Sequence, residues 1–206
     1  LTQVTVRSLV WWIDVPGDLR KGDVLDLLVE PRDGAEPVVQ AVRYKSGKTG
    51  QTYRAYRWKA PGSAHARYYL PTGEELEQRL KDAPLDDYEQ VTSLLRDGRG
   101  HQGVDFRTPI GTKVKAPFDG TIGRKNWNLR SNGNSLELIE DGGAKRTALF
   151  LHLSATSVNP GQHVRRGEVI ADSGNTGHSF APHLHYQMRS PSAPVLDPFK
   201  THPTYR

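Results

Sequence analysis

The sequence predicts a mainly β protein in two parts, a small α+β domain followed by a longer antiparallel β domain. Three observations predict it. Short runs rich in β-branched and aromatic residues recur along the chain. Turn residues separate them at short intervals, with 20 Gly and 14 Pro among 206 residues. Helical spacing is confined to one stretch, and the length suits one large domain or two small ones.

In chain order, Thr2-Gln3-Val4-Thr5-Val6 alternates like a strand. Pro16 to Asp23 reads as a loop. Val24 to Val29, Val38 to Tyr44 and Tyr53 to Trp58 read as strands, divided by turn residues at 31–34 and 46–50. The one expected helix runs from Thr72 to about Ala83. Thr72 and Glu75 have capping-box spacing, Leu76 and Leu80 lie one turn apart, and Pro84 stops it. The first domain is expected to span residues 1–88. The second, residues 89–206, has short strands with glycine punctuation. In it Gly111-Thr112-Lys113-Val114-Lys115 recurs loosely as Gly161-Gln162-His163-Val164-Arg165, which hints at two related half-units.

Composition removes several classes of function. Cysteine is absent, which excludes thiolate zinc sites, disulfide scaffolds and cysteine nucleophiles. No apolar stretch approaches the length of a membrane span. The net charge is +5, but Lys and Arg are scattered among acids, so nucleic acid is not expected as a partner. A basic surface suits an acidic cell wall equally well. Leu1 opens without a secretory signal, and any leader or anchor is expected to lie outside this sequence.

The chemistry concentrates in histidine motifs. His101-Gln102-Gly103-Val104-Asp105 is one, and His183-Leu184-His185 is another. Side chains alternate along an extended segment, so His183 and His185 share a face. If the first motif is extended too, His101 and Asp105 share one. Four groups of the types zinc prefers can then converge. Three ligands with an open fourth position make a catalytic site, whereas a structural site uses all four. Spacing alone does not say which histidine of the pair binds metal. His152 lies in the apolar run Ala148-Leu149-Phe150-Leu151-His152-Leu153-Ser154, which reads as a buried strand ending near a site. Hydrolysis at a metal needs a proton acceptor and a group that stabilises the oxyanion, and two further histidines meet that need.

His101-Gln102-Gly103-Val104-Asp105-Phe106, Leu151-His152-Leu153-Ser154, Gly174-Asn175-Thr176-Gly177 and Pro182-His183-Leu184-His185-Tyr186 resemble, in that order, the motifs of the lysostaphin/LytM-type zinc endopeptidases. The resemblance runs from about residue 92 to Phe199. It implies a duplicated half-barrel β fold, with Zn2+ held by His101, Asp105 and His185. It implies that His152 and His183 are catalytic histidines that do not bind metal. His183 is the first choice for general base. His152 is assigned to the oxyanion or the leaving amine, and the two roles are exchangeable at this level. Phe150 stands where the family often has tyrosine, which leaves the ligands intact and bears on substrate choice.

The resemblance further implies a monomer acting on bacterial peptidoglycan in the periplasm or cell envelope, at the peptide cross-links. D-alanyl–diaminopimelate is the expected bond and a pentaglycine bridge its rival. The alternative is a non-catalytic cell-wall binding or amidase-activating module. Tyr68-Tyr69-Leu70-Pro71-Thr72-Gly73 resembles the small domain that precedes the catalytic domain in Gram-negative relatives, so a regulatory role is expected of residues 1–88. His65, His163 and His202 are expected at the surface, and His178 either touches substrate or is solvated. Tyr53, Tyr56, Trp58, Tyr68 and Tyr69 are expected in core and sheet surface.

Overall fold

The computed structural model describes residues 2–34, 37–81, 84–95 and 100–206. The described chain forms two compact units, which divide near residue 78.

The first unit contains α1 (Thr2–Leu9), α2 (Val15–Asp18), β1 (Val24–Glu30), β2 (Val38–Lys45), β3 (Thr52–Trp58) and β4 (Arg67–Tyr69). The strands form an antiparallel meander in the order β1-β2-β3-β4. The three long runs of β-branched and aromatic residues are therefore strands, as the sequence predicts. Their inward positions Val39, Val42 and Ala55 are buried with Tyr68 and Leu76, and Trp11, Trp12, Leu27 and Val29 pack against them. Tyr56 and Trp58 lie on the outer sheet surface at 47% and 55% exposure, which excludes them from the core.

Three expectations fail in this unit. The opening residues are helical, not extended. Thr5, Ser8 and Leu9 are buried together, three to four residues apart, and this helical period wins over the local alternation. One helical turn, α2, stands within the expected loop at 16–23. No helix forms between Thr72 and Lys81. Gly73 adopts φ 89°, the amide of Leu70 donates to the carbonyl of Glu74, and that of Leu76 donates to Tyr68. The chain turns back on β4, with Glu75 bridged to Tyr69, and buries Leu76 from a bend. The far end of the expected helix, at Ala83, lies outside the described residues.

The second unit opens with β5 (Arg79–Leu80), β6 (Gln90–Ser93), β7 (Val104–Arg107), β8 (Lys113–Lys115) and β9 (Gly120–Lys125). After α3 (Leu129–Asn132) come β10 (Asn134–Glu140), β11 (Thr147–Leu153), β12 (Ala155–Thr156), β13 (His163–Val164) and β14 (Val169–Asp172). The chain ends in β15 (His183–Ser190), β16 (Ala193–Leu196), α4 (Pro198–Thr201) and β17 (Thr204–Tyr205). The large sheet runs β13-β9-β10-β11-β15-β7-β6, with β16 paired to β15. A small sheet, β12-β14-β8, and the pair β17-β5 complete the unit. The loosely repeated segments both make a glycine turn, Gly111 at φ 89° and Gly161 at φ 83°, before a strand. One strand enters the small sheet and the other the large one.

One face of the large sheet is core: Ile122, Leu136, Leu138, Phe150, Leu184, Tyr186 and Met188 are at most 1% exposed. Tyr186 is fully buried, and its hydroxyl donates to His202 Nε2 at 2.9 Å. His202 is thus partly buried, contrary to expectation. Burial, reinforced by Arg146 and Arg166, pushes its pKa down to about 4 and keeps the ring a neutral acceptor. His163 is at the surface, beside Asp141 at 2.6 Å.

Candidate metal centre

The site lies on the opposite face of the large sheet. Pairing of β15 with β7 places His185 directly opposite Asp105, and His183 opposite Arg107. Alternation along β15 puts Leu184 and Tyr186 in the core and leaves His183 and His185 on the site face. Asp105 follows from the same register. His101 does not, because it precedes β7 in irregular backbone. A hydrogen bond fixes it instead: Nδ1–H donates to the carbonyl of Leu94 at 3.0 Å. That bond sets the tautomer and turns the Nε2 lone pair toward the site.

Three donor atoms converge there. His101 Nε2 lies 3.1 Å from His185 Nδ1 and 3.3 Å from Asp105 Oδ1, and the latter two are 2.8 Å apart. A tetrahedral ion with bonds of about 2.0–2.1 Å spaces its ligand atoms about 3.3 Å apart. The donor triangle is close to one face of such a tetrahedron, and two nitrogens with one carboxylate oxygen are a set that zinc accepts. Burial works against ionisation of Asp105, but its interactions with the adjacent His101 and His185 rings outweigh it and hold the carboxyl well below the usual carboxylate range.

Gly103 makes this packing possible. A methyl group there would sit 2.6 Å from the carbonyl oxygen of Tyr186 and 2.8 Å from Cε1 and Nε2 of His185. Gly103→Ala is therefore expected to push the His185 ring off its line and weaken metal binding by at least about tenfold, the smallest cost usual for disturbing a ligand's support. Competition with a chromophoric chelator measures this. Unchanged affinity would show that the ring has room to yield.

His152 reaches the site by a different device. Leu151 pairs with His185 across β11 and β15, so simple alternation would turn His152 toward the core. Between Phe150 and Leu153 the strand carries one residue more than its partner β10, and His152 adopts φ 62°. This bulge reverses the side-chain direction. The His152 ring centroid comes to 4.7 Å from His183 and 6.1 Å from His185. A positive φ is several-fold commoner for His than for most non-glycine residues, but it still carries strain.

The loop from Gly174 to Pro182 holds both non-donor histidines. His152 Nδ1–H donates to the carbonyl of Thr176 at 2.9 Å. His183 Nδ1–H donates to the carbonyl of Ala181 at 2.8 Å, with Ser179 Oγ at 3.1 Å. Thr176 is also tied down through its hydroxyl, which donates to Leu153 O and accepts from the amide of Asn134. Gly174 lies against the backbone of His152 and Leu153, and its carbonyl accepts the amide of His183. Each neutral ring therefore carries its proton on Nδ1 and presents a bare Nε2. The His183 Nε2 stands 3.8 Å from Asp105 Oδ1. Burial, only partly opposed by the Thr176 hydrogen bond, pushes the His152 pKa down to about 4.

The five residues singled out in the sequence thus meet in one place. Thr176 lies in one of the motifs that carry the resemblance and Ser179 just beyond it, but neither could be assigned a role before the contacts with His152 and His183 were seen. His178 is exposed and packs edge-on against Phe180, 91% exposed, at 5.1 Å.

Residues 99–198 match the model of peptidase family M23. This part of the chain is a peptidase family M23 domain. Similarity extends beyond that domain. A Haemophilus influenzae protein described as an uncharacterized metalloprotease is 37% identical over 195 residues, which cover 88% of this chain and 39% of the relative. The peptidoglycan DD-endopeptidase ShyB of Vibrio cholerae is 32% identical over 200 residues, 89% of this chain and 44% of ShyB. Lysostaphin of Staphylococcus simulans is 45% identical over 91 residues, 44% of this chain and 18% of lysostaphin. Among solved structures, a zinc-containing peptidase from Vibrio cholerae superposes with a TM-score of 0.52 at 28% identity, over 97% of this chain and 63% of that one. The chain spans about two fifths of the length of the Haemophilus and ShyB relatives. Among its described residues, no helix is long and apolar enough to cross a membrane.

Proposed function

We propose that this M23 domain is a zinc-dependent endopeptidase that hydrolyses peptide cross-links of bacterial peptidoglycan, with D-alanyl–diaminopimelate as the bond cleaved. The observation that carries the proposal is the donor triangle of His101, Asp105 and His185 beside two histidines whose Nε2 atoms are bare. The DD-endopeptidase relative supports the substrate class. The same relative supports a site of action in the cell envelope.

His101, Asp105 and His185 would hold the ion. Zinc bound there supplies a Lewis acid that polarises the scissile carbonyl and acidifies water. The remaining steps belong to side chains. His183 accepts the proton of the attacking water at Nε2, since Nδ1–H is already committed to Ala181 O. His152 takes up at Nε2 the proton that His183 removed from water, donates it in a hydrogen bond to the developing oxyanion and delivers it to the leaving amine as the C–N bond breaks. Its burial disfavours the charged ring, so the proton is readily given up. Thr176 and Ala181 keep both rings in the tautomer this requires. Residues 1–88 are proposed to have a regulatory role, on the strength of their place in the chain directly before the catalytic part.

The test is turnover of purified cross-linked muropeptides with and without zinc, with products weighed by mass spectrometry. Zinc-dependent release of uncross-linked stem peptides is the expected result. Wall binding without any product would mean a non-catalytic binding module instead.

A further inference from the structure

The geometry points to a carboxylate-binding subsite formed by Arg124 and Arg189 on the site face of the large sheet. It rests on the peptidase reading above and specifies which peptides the site takes.

Cross-strand pairing places the residues. Arg124 pairs with Glu137, Glu137 with Leu149, and Leu149 with Gln187. Paired residues point to the same face, so this row lies on the face of His185. It is the next row, about 7 Å along β15 from His185, and Glu137 lies about 10 Å across the sheet from that strand. Arg189, one alternation further along β15, leans back over the row and bonds Glu137 through Nη2 at 2.6 Å.

Glu137 is the organising group. Its side chain is only 7% exposed, and both its oxygens are engaged: Arg124 donates from Nε at 3.0 Å and from Nη2 at 2.7 Å. Trp127 backs the Arg124 guanidinium at 4.4 Å. The two arginine side chains are 47% and 41% exposed. One carboxylate thus holds two cations rigidly and leaves the cluster with a net positive charge. Among the described residues, the Arg189 side chain bonds protein through Nη2 alone, which leaves its other N–H groups uncommitted on a side chain that is partly exposed. Guanidiniums already fixed by packing bind an incoming carboxylate with little loss of side-chain freedom.

A peptide lying on this face with its scissile carbonyl at the donor triangle would bring a group two to four residues away over the pair. Stem peptides joined through diaminopimelate carry free carboxylates within that range, whereas a pentaglycine bridge is neutral. The subsite therefore favours the acidic stem peptide.

The test compares zinc-loaded wild type with Arg189→Met and Arg189→Lys on two cross-linked muropeptides, one with free and one with amidated diaminopimelate carboxylates. Wild type is expected to favour the acidic substrate. Arg189→Met should raise KM for it about tenfold with kcat little changed, while turnover of the amidated substrate stays the same and reports an intact fold. Arg189→Lys should recover part of the loss. Equal loss on both substrates, or none on either, would overturn the subsite and leave the peptidase reading standing. No turnover of either substrate by wild type would overturn both.

Discussion

Replacing His185 with alanine is expected to abolish hydrolysis of cross-linked muropeptides and to strip zinc during dialysis. Two consequences of losing the imidazole would be felt together. Its Nδ1 is one of three donor atoms, and the other two cannot close a tetrahedral site. The ring also stands against Asp105 at 2.8 Å and helps keep ionised a carboxylate whose ionisation burial opposes. Without it Asp105 becomes a poorer ligand. The affinity loss should therefore exceed the roughly 10–100-fold that follows removal of an outer-shell partner. Zinc content by atomic absorption, measured beside initial rates, checks this. A variant that keeps one zinc per chain would remove His185 from the ligand set.

His152→Asn is expected to do the opposite in one respect. Activity should fall by about 10²–10⁴-fold, the range for losing a positioned acid–base group. Zinc content should stay the same, because the ring lies outside the donor triangle. Asparagine is the informative replacement, since it tolerates the left-handed backbone at φ 62° better than alanine does. A melting temperature near that of wild type would confirm that the bulge survives. If zinc is lost together with activity, His152 belongs among the ligands and its assignment as a proton-transfer group fails.

The strands of both units were legible because their residues are β-formers bounded by turn residues, and β1 to β3 appear where that pattern puts them. Alternation correctly placed His183 and His185 on one face. It would have misplaced His152, whose direction depends on one extra residue in β11, a feature of pairing with β10 that no single segment encodes. His101 lies outside the strand that parity assumed. It reaches the site through the Leu94 carbonyl, a contact set by tertiary structure. Local patterns also misled where two periods competed. Thr2 to Val6 alternates, yet burial of Thr5, Ser8 and Leu9 makes it helical. Leu76 and Leu80 have helical spacing, yet Gly73 turns the chain and both leucines are buried from non-helical backbone, Leu76 in a bend and Leu80 in a strand. The Arg124–Glu137–Arg189 cluster was invisible for a related reason. Its members come from three strands, and only the sheet register brings them into contact.

Extended X-ray absorption at the zinc edge of the loaded protein is the most direct measurement of the proposed centre. Two imidazole nitrogens and one carboxylate oxygen, with a remaining position filled by solvent oxygen, are the expected shell, at about 2.0–2.2 Å. A shell closed by four protein ligands, or zinc that binds equally well after Asp105→Ala, would contradict it.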